Sequence, residues 1–390
     1  MGWMMPDFLT PRGDSKLMTW WWSIDRVAFL CVIGIALFGV VMVGTASPSV
    51  ADRIGYSNSY RFLYAHIVFL SMALVGMVAV TVFRPNHIWR GATLLFVGAW
   101  IGVILTLVSG VEIKGATRWI YVFGFSLQPS EFLKPAFVVM AAFFLAKQKQ
   151  SEQFPGVIIA LCLFAMTAGV LILQPDFGMT FLVSAVFATQ IFLAGCPLRY
   201  VIILAGIAIL GIVMAYFSLS HVQSRIDGFL YPDSRDSFQI DRSLEAFMNG
   251  GIAGTGPGQG TVKNMLPDVH SDFIFSAVGE EWGFVFTALL VGLYAFIFYR
   301  LLNRFSRTDS LFVMLAGSGL TFMLVMQCVI HMGSALRLLP AKGMTLPFVS
   351  YGGSSLLMVG LTFGLILALS RGINNRQGSK TWRNLVKKEF

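Results

Sequence analysis

Apolar stretches of about twenty residues recur from one end of this chain to the other, joined mostly by short polar links. A run of that length, wound at ~1.5 Å per residue, crosses the ~30 Å hydrocarbon core of a bilayer. Lipid offers the backbone no hydrogen-bond partners, so each run must be a helix or part of a closed barrel. The runs are continuous rather than alternating, which selects helices. Composition agrees, with 56% hydrophobic and 12% charged residues against roughly 25% charged in an ordinary globular domain. The expected fold is an all-α polytopic membrane protein of about ten transmembrane helices, at 24–45, 63–83, 91–109, 131–147, 156–174, 178–195, 200–218, 273–301, 311–332 and 348–370. A long extracytoplasmic loop, 219–272, separates the seventh helix from the eighth. The helical domain covers 24–370, between an N-terminal tail, 1–23, and a basic tail, 371–390. The first run exceeds the ~7–15-residue core of a signal peptide and reads as a retained span.

Orientation follows from lysine and arginine, which gather on the cytoplasmic side. With the N-terminus inside, 17 of the 28 basic residues fall on inner segments, whereas 13 of the 19 acidic residues fall outside. Both termini are thus expected in the cytoplasm, in a multi-pass arrangement. The net charge of +9 resides at helix ends and in the tail, where it meets anionic headgroups of membrane lipids. No aromatic-interleaved basic patch suits single-stranded nucleic acid. The four cysteines lie in or beside apolar runs, with no CxxC and no zinc-type spacing, so neither a disulfide framework nor a zinc site is expected.

Chemistry on a water-soluble group is expected in the polar segments. The long loop ends GGIAGTGPGQGTVKNMLPDVHSDFIFSAVGEE, residues 250–281, and loops of its length are usually functional. Asp272 falls where this loop re-enters a helix. It reads either as part of a helix cap, with Ser271 as N-cap, or as a carboxylate at the membrane surface able to take a proton from a substrate hydroxyl. Both readings stay open. Glu280 and Glu281 follow eight and nine residues later, about 12 Å along a helix. That is wider than the ~6.5–9.5 Å of an inverting carboxylate pair, so structural or gating roles suit them better. The glycine run either cradles phosphates through backbone amides or folds close to another backbone, the safer reading; no Walker lysine follows it. Lys263 is a candidate anion contact.

Two further outer segments carry charge. In KGATRW…QPSEFLKP, Glu131 and Lys134 share one face of a helix mouth. They form either a fixing ion pair or, with Arg118, part of a cationic rim for a phosphate headgroup; charge at a membrane helix is costly unless paired or used. Gln174-Pro175-Asp176 reads as a turn. The stretch LLPAKGMTLPFVSYGGSS breaks the last helix and supplies small residues for close packing, with Lys342 as another anion contact.

Together these motifs, in this order and across essentially the whole chain, resemble the SEDS family (shape, elongation, division and sporulation). The LPAKGMTLP stretch, the early GVVMVGTAS segment and the basic tail favour the division-type branch over the elongation-type one. The resemblance implies a peptidoglycan glycosyltransferase polymerising lipid II, a disaccharide-pentapeptide on undecaprenyl pyrophosphate, at the septum of the bacterial cytoplasmic (inner) membrane. In it the acid of the HSDFIF motif, Asp272, deprotonates the acceptor 4-hydroxyl, which attacks the donor anomeric carbon with inversion. Arg118, Lys134 and Lys263 would stabilise the departing pyrophosphate, with Glu131, His270, Ser271 and Lys342 also expected around the substrate. No cofactor is required by the sequence; a divalent cation, Mg or Mn, would share that task, but no dedicated cage is visible. The implied partners are a class B penicillin-binding protein and other divisome proteins. Three positions depart from many members: His331 for Asn, Arg337 for Gly and Arg242 for Gln. Rival readings are a lipid II flippase, which would place ionisable residues or broken helices near the midplane, and a non-catalytic divisome scaffold that activates the penicillin-binding partner.

Overall fold

The computed structural model describes residues 16–109, 111–113, 116–122, 125–197, 238–339 and 343–371, with isolated positions between 199 and 227. Within them the chain forms a helical bundle: α1 (Lys16–Ser23), α2 (Arg26–Ile54), α3 (Arg61–Val80), α4 (Pro85–Ser109), α5 (Pro129–Gln150), α6 (Gly156–Leu173), α7 (Phe177–Leu193), α8 (Phe238–Gly250), α9 (Ile274–Phe305), α10 (Leu311–Ala335) and α11 (Gly353–Ser370). Eight of these are long and apolar enough to cross a membrane, and α7 is a shorter apolar helix. They coincide with nine of the ten expected spans; most of the tenth, 200–218, lies outside the described residues. The tails at 1–15 and 372–390 lie outside them too.

The differences are local and have physical reasons. Helix α2 runs nine residues past its expected end, through Pro48, to a left-handed Gly55 cap. The expected N-terminal tail contains α1, whose Trp20 indole donates to Thr81 Oγ1 at 2.7 Å. Between α4 and α5 the chain forms an antiparallel meander, β1 (Val111–Ile113), β2 (Ala116–Val122) and β3 (Phe125–Leu127). Helix α11 begins at Gly353 rather than 348, because residues 347–350 are a turn. The long loop contains α8, thirteen residues with a polar and an apolar face.

Helices α5 and α11 are buried along most of their length, whereas α3 and α6 present most of theirs outward. Small residues permit a close crossing of α3 and α11: a Cβ on Gly360 would lie 2.6 Å from the Ala73 carbonyl, and one on Gly364 2.6 Å from that of Met77. Without a hydrophobic drive between helices in lipid, such backbone approach supplies the packing. One end of the bundle is locked by Asp25, which caps α2 through the Ala28 amide and accepts Arg300 Nε at 2.9 Å and Arg304 at 2.8 Å. Burial raises the Asp25 carboxyl, but the two arginines and the amide outweigh it and hold it below its ordinary value. Arg304 also donates to the Ser370 carbonyl, so α2, α9 and α11 meet there. The meander, α8 and the loops before α9 and α11 occupy the opposite end.

Candidate active site

The site begins with a broken helix. At Gly283, α9 leaves helical geometry (φ 73°, ψ −178°), a conformation essentially restricted to glycine. Breaking a membrane helix strands backbone groups that lipid cannot satisfy, and the glycine-rich loop takes their place. Phe284 and Val285 N–H donate to the carbonyls of Gly251 and Ile252, while the carbonyls of Glu280 and Glu281 accept from Thr255 and Gly256. The glycines are needed for this approach: a Cβ on Gly254 (φ +83°) would stand 2.3 Å from the Glu281 carbonyl oxygen. Of the two readings of the glycine run, close approach to another backbone holds. The amides nearest a phosphate cradle, those of Thr261, Val262 and Lys263, instead point at the Glu280 carboxylate at 2.7–2.8 Å, joined by Asn249 Nδ2 at 2.7 Å.

Lys263 must be corrected as an accessible anion contact. It is 1% exposed, its ammonium pairs with Glu281, and it donates to the Thr45 carbonyl at 2.7 Å. Thr45 Oγ1 donates to the other Glu281 oxygen at 2.9 Å. Two of the ammonium's three N–H bonds go to a carboxylate and a carbonyl, and burial leaves it no open face toward a pyrophosphate. Glu280 and Glu281 are structural, as their spacing suggested.

Asp272 sits differently. Ser271 does not cap α9: the N-cap position is Phe273, with no side-chain cap bond, and the Ser271 hydroxyl donates to the Asp268 carbonyl at 3.1 Å. Asp272 precedes the helix in a turn held by its own N–H to the Asp268 carbonyl at 2.9 Å, with Asp268 at φ +53°. Its side chain is half-buried and faces Gly343, where a Cβ would lie 3.4 Å from Asp272 Oδ2. The segment 343–351 is stitched to the turn: Ser350 Oγ donates to the Ser271 carbonyl at 2.7 Å, and Tyr351 N–H to the His270 carbonyl at 2.8 Å. The His270 ring packs between Phe62 and Tyr351, centroids 4.5 and 5.2 Å away. Burial lowers its pKa to about 4, partly opposed by Asp268, so this imidazole is neutral near pH 7 and anchors the turn. Lys342 lies outside the described residues.

The neighbouring motifs join the same end. Thr345 Oγ1 and Ser355 Oγ are 2.6 Å apart, and the Gln128 amide donates to Ser354 Oγ at 3.3 Å. This ties the mouth of α5 to the start of α11. There Glu131 and Lys134 form a 2.9 Å ion pair, each under 6% exposed, the fixing role among the two considered. Arg118 docks on the expected turn, donating to the Gln174 and Pro175 carbonyls and lying 3.4 Å from Asp176 Oδ2, which also caps α7. Of the three departures, Arg337 pairs with Asp241 at 3.1 Å and Arg242 with Glu245, both on α8. His331 Nδ1 lies 2.6 Å from the Met344 carbonyl. Thr45, Asn249, Gln327 and Ser350 were missed in the sequence; a lone polar residue in an apolar run carries no periodicity that reveals its partner. Among the described residues no three of His, Cys, Asp and Glu gather where they would hold a divalent cation.

Residues 25–375 match the cell cycle protein family FtsW/RodA/SpoVE. The chain belongs to this family. It is 39% identical to a probable peptidoglycan glycosyltransferase FtsW of Caulobacter vibrioides over 357 residues, 92% of each chain. A Coxiella burnetii protein of the same name is 33% identical, over 93% of this chain and 100% of its own. Among solved structures, a chain from a peptidoglycan synthase complex, whose report concerns coordination of polymerization and crosslinking, superposes with a TM-score of 0.75 at 28% identity, covering 92% of this chain and 100% of that one. The rod shape determining protein RodA of Thermus thermophilus gives 0.67 at 26% identity, with 92% and 99% covered. The FtsW/RodA/SpoVE bundle thus carries both the stitched Asp272 turn and the broken α9.

Proposed function

We propose that this protein is a division-type peptidoglycan glycosyltransferase that polymerises lipid II, with Asp272 as the general base. One observation supports the assignment of the base. Glu280, Glu281, Glu131 and Asp176 at this end are buried, whereas Asp272 is half-buried at the loop surface beside a glycine. A base must reach a proton on an incoming hydroxyl at about 2.6–3.2 Å, and a side chain at Gly343 would obstruct that approach. In this reading Asp272 takes the proton of the acceptor 4-hydroxyl and the oxygen attacks the donor anomeric carbon from the face opposite the leaving group. The C–O bond to undecaprenyl pyrophosphate breaks as the glycosidic bond forms, inverting the centre. Arg118, partly exposed and held by Asp176, would stabilise the departing pyrophosphate as part of a fixed dipolar pair, while Lys134, buried against Glu131, fixes the mouth of α5.

The site end faces outward and both termini lie in the cytoplasm, as the lysine and arginine bias requires, and the protein works at the septum with a class B penicillin-binding protein. The flippase reading is disfavoured because the acidic and basic residues of the described spans lie within about two turns of a helix end, not at the midplane where transporters bind. The test is purified protein with its penicillin-binding partner and lipid II in detergent, moenomycin silencing classical glycosyltransferases. A glycan ladder is expected. Transfer of lipid II across vesicle leaflets with no polymer would replace polymerase by flippase.

A further inference from the structure

We propose that His331 is a positioning residue for the Asp272 carboxylate, acting through the backbone of Met344 and Gly343; the inference rests on the glycosyl-transfer reading above. His331 is 1% exposed on α10, with Nδ1 2.6 Å from the Met344 carbonyl oxygen. A carbonyl can only accept, so Nδ1 carries a proton and donates to it. One turn earlier, on the same face, Gln327 Nε2 donates to the Thr345 carbonyl at 3.1 Å and to Thr345 Oγ1 at 3.2 Å. Two consecutive carbonyls of an irregular segment are therefore held by an i, i+4 pair of donors on a rigid membrane helix.

Gly343 is the residue immediately before this ladder. Its left-handed backbone (φ +59°) brings it to where a Cβ would lie 3.4 Å from Asp272 Oδ2. The turn bearing Asp272 is fixed from the other side, since Ser350 Oγ accepts the Leu346 amide at 2.8 Å and donates to the Ser271 carbonyl at 2.7 Å. The carboxylate and the backbone it faces thus hang from two supports, and His331 anchors the one on the Gly343 side. Losing that anchor leaves the Met344 carbonyl buried without its donor and frees Gly343 to shift against Asp272. A displacement of about 1 Å at a reacting group costs roughly 10²-fold in rate, without altering how substrate binds elsewhere.

The test compares wild type, His331→Asn, which keeps an N–H donor, and His331→Leu, which has none. Polymerisation rates over a range of lipid II concentration, with thermal unfolding as a control, should show His331→Leu losing roughly ten- to a hundredfold in kcat with KM within about twofold. His331→Asn should stay near wild type. Hydrogen exchange of the 343–351 peptide, measured in an Asp272→Asn background, should quicken with Leu and not with Asn; should Leu fail to fold, His331→Met replaces it. Unchanged kcat in the donor-free variant, or equal losses with Asn and Leu, would overturn the proposal. The exchange arm separates the two ideas. Polymerisation by Asp272→Asn sinks the base assignment whatever the exchange shows, and unchanged exchange in His331→Leu sinks this proposal even when Asp272→Asn is inactive.

Discussion

Two acidic positions eight residues apart, Glu280 and Asp272, have opposite surroundings. The Glu280 carboxylate is fully buried and accepts three backbone amides and the Asn249 side chain. Its neighbour Glu281 is closed off by Lys263 and Thr45. Asp272 is half-buried, in a turn whose backbone is tied to the Asp268 carbonyl and to the 343–351 segment. Fully coordinated acids hold a glycine-rich loop against a broken helix. A partly exposed acid on a fixed backbone suits the proposed proton transfer. In this molecule burial, more than position in a motif, distinguishes Glu280 and Glu281 from Asp272.

That contrast can be broken at several points. Asp272→Asn keeps size and fold and removes the base, so polymerisation should drop by roughly 10²–10⁴-fold with unchanged yield and unfolding temperature, read by glycan gel and thermal shift. Lys263→Met acts in the other sense, on stability. It leaves Glu281 buried and unpaired, a loss of about 3–5 kcal/mol visible as poor yield and early unfolding, and the double variant Lys263→Met, Glu281→Met should recover most of it. Gly283→Ala forces a side chain into a glycine-only conformation, where its Cβ would lie 2.3 Å from the Gly254 amide nitrogen. Strain of that kind costs ~1–3 kcal/mol before the clash is counted. The smallest effect is pH-dependent. Burial places the His270 pKa at about 4, below its ordinary 6.5, so the unfolded chain takes up this proton first. Its contribution is intact above pH 6.5 and fades as pH falls toward 4, and His270→Phe should flatten that part of a thermal-stability profile.

Much of this was legible in the sequence, for identifiable reasons. Long apolar runs have one solution in lipid, so each described long apolar helix coincides with an expected span, with ends that shift by up to nine residues at α2. Glu131 and Lys134 were readable as a pair because three residues apart on a helix is a contact by geometry. Lys263 was not, because its partner Glu281 and its acceptor Thr45 are distant in sequence and meet only once the loop folds onto α2 and α9. The Ser271 cap failed for a similar reason: Ser350, 79 residues on, claims the Ser271 carbonyl, and Asp268 takes the hydroxyl. The β-meander escaped notice because its strands of three to seven residues sit between two spans and are too short to set a pattern. The helix break at Gly283 lies two residues after Glu280-Glu281 inside a stretch that reads as one span, and only the backbone shows it.

The most direct test places both kinds of acid in one assay. Wild type, Asp272→Asn and the double variant Lys263→Met, Glu281→Met, each in complex with the penicillin-binding partner and matched for folded protein, receive lipid II with moenomycin present. The account predicts glycan ladders from the wild type and the double variant, and none from Asp272→Asn. A ladder from Asp272→Asn at a rate near wild type would contradict it.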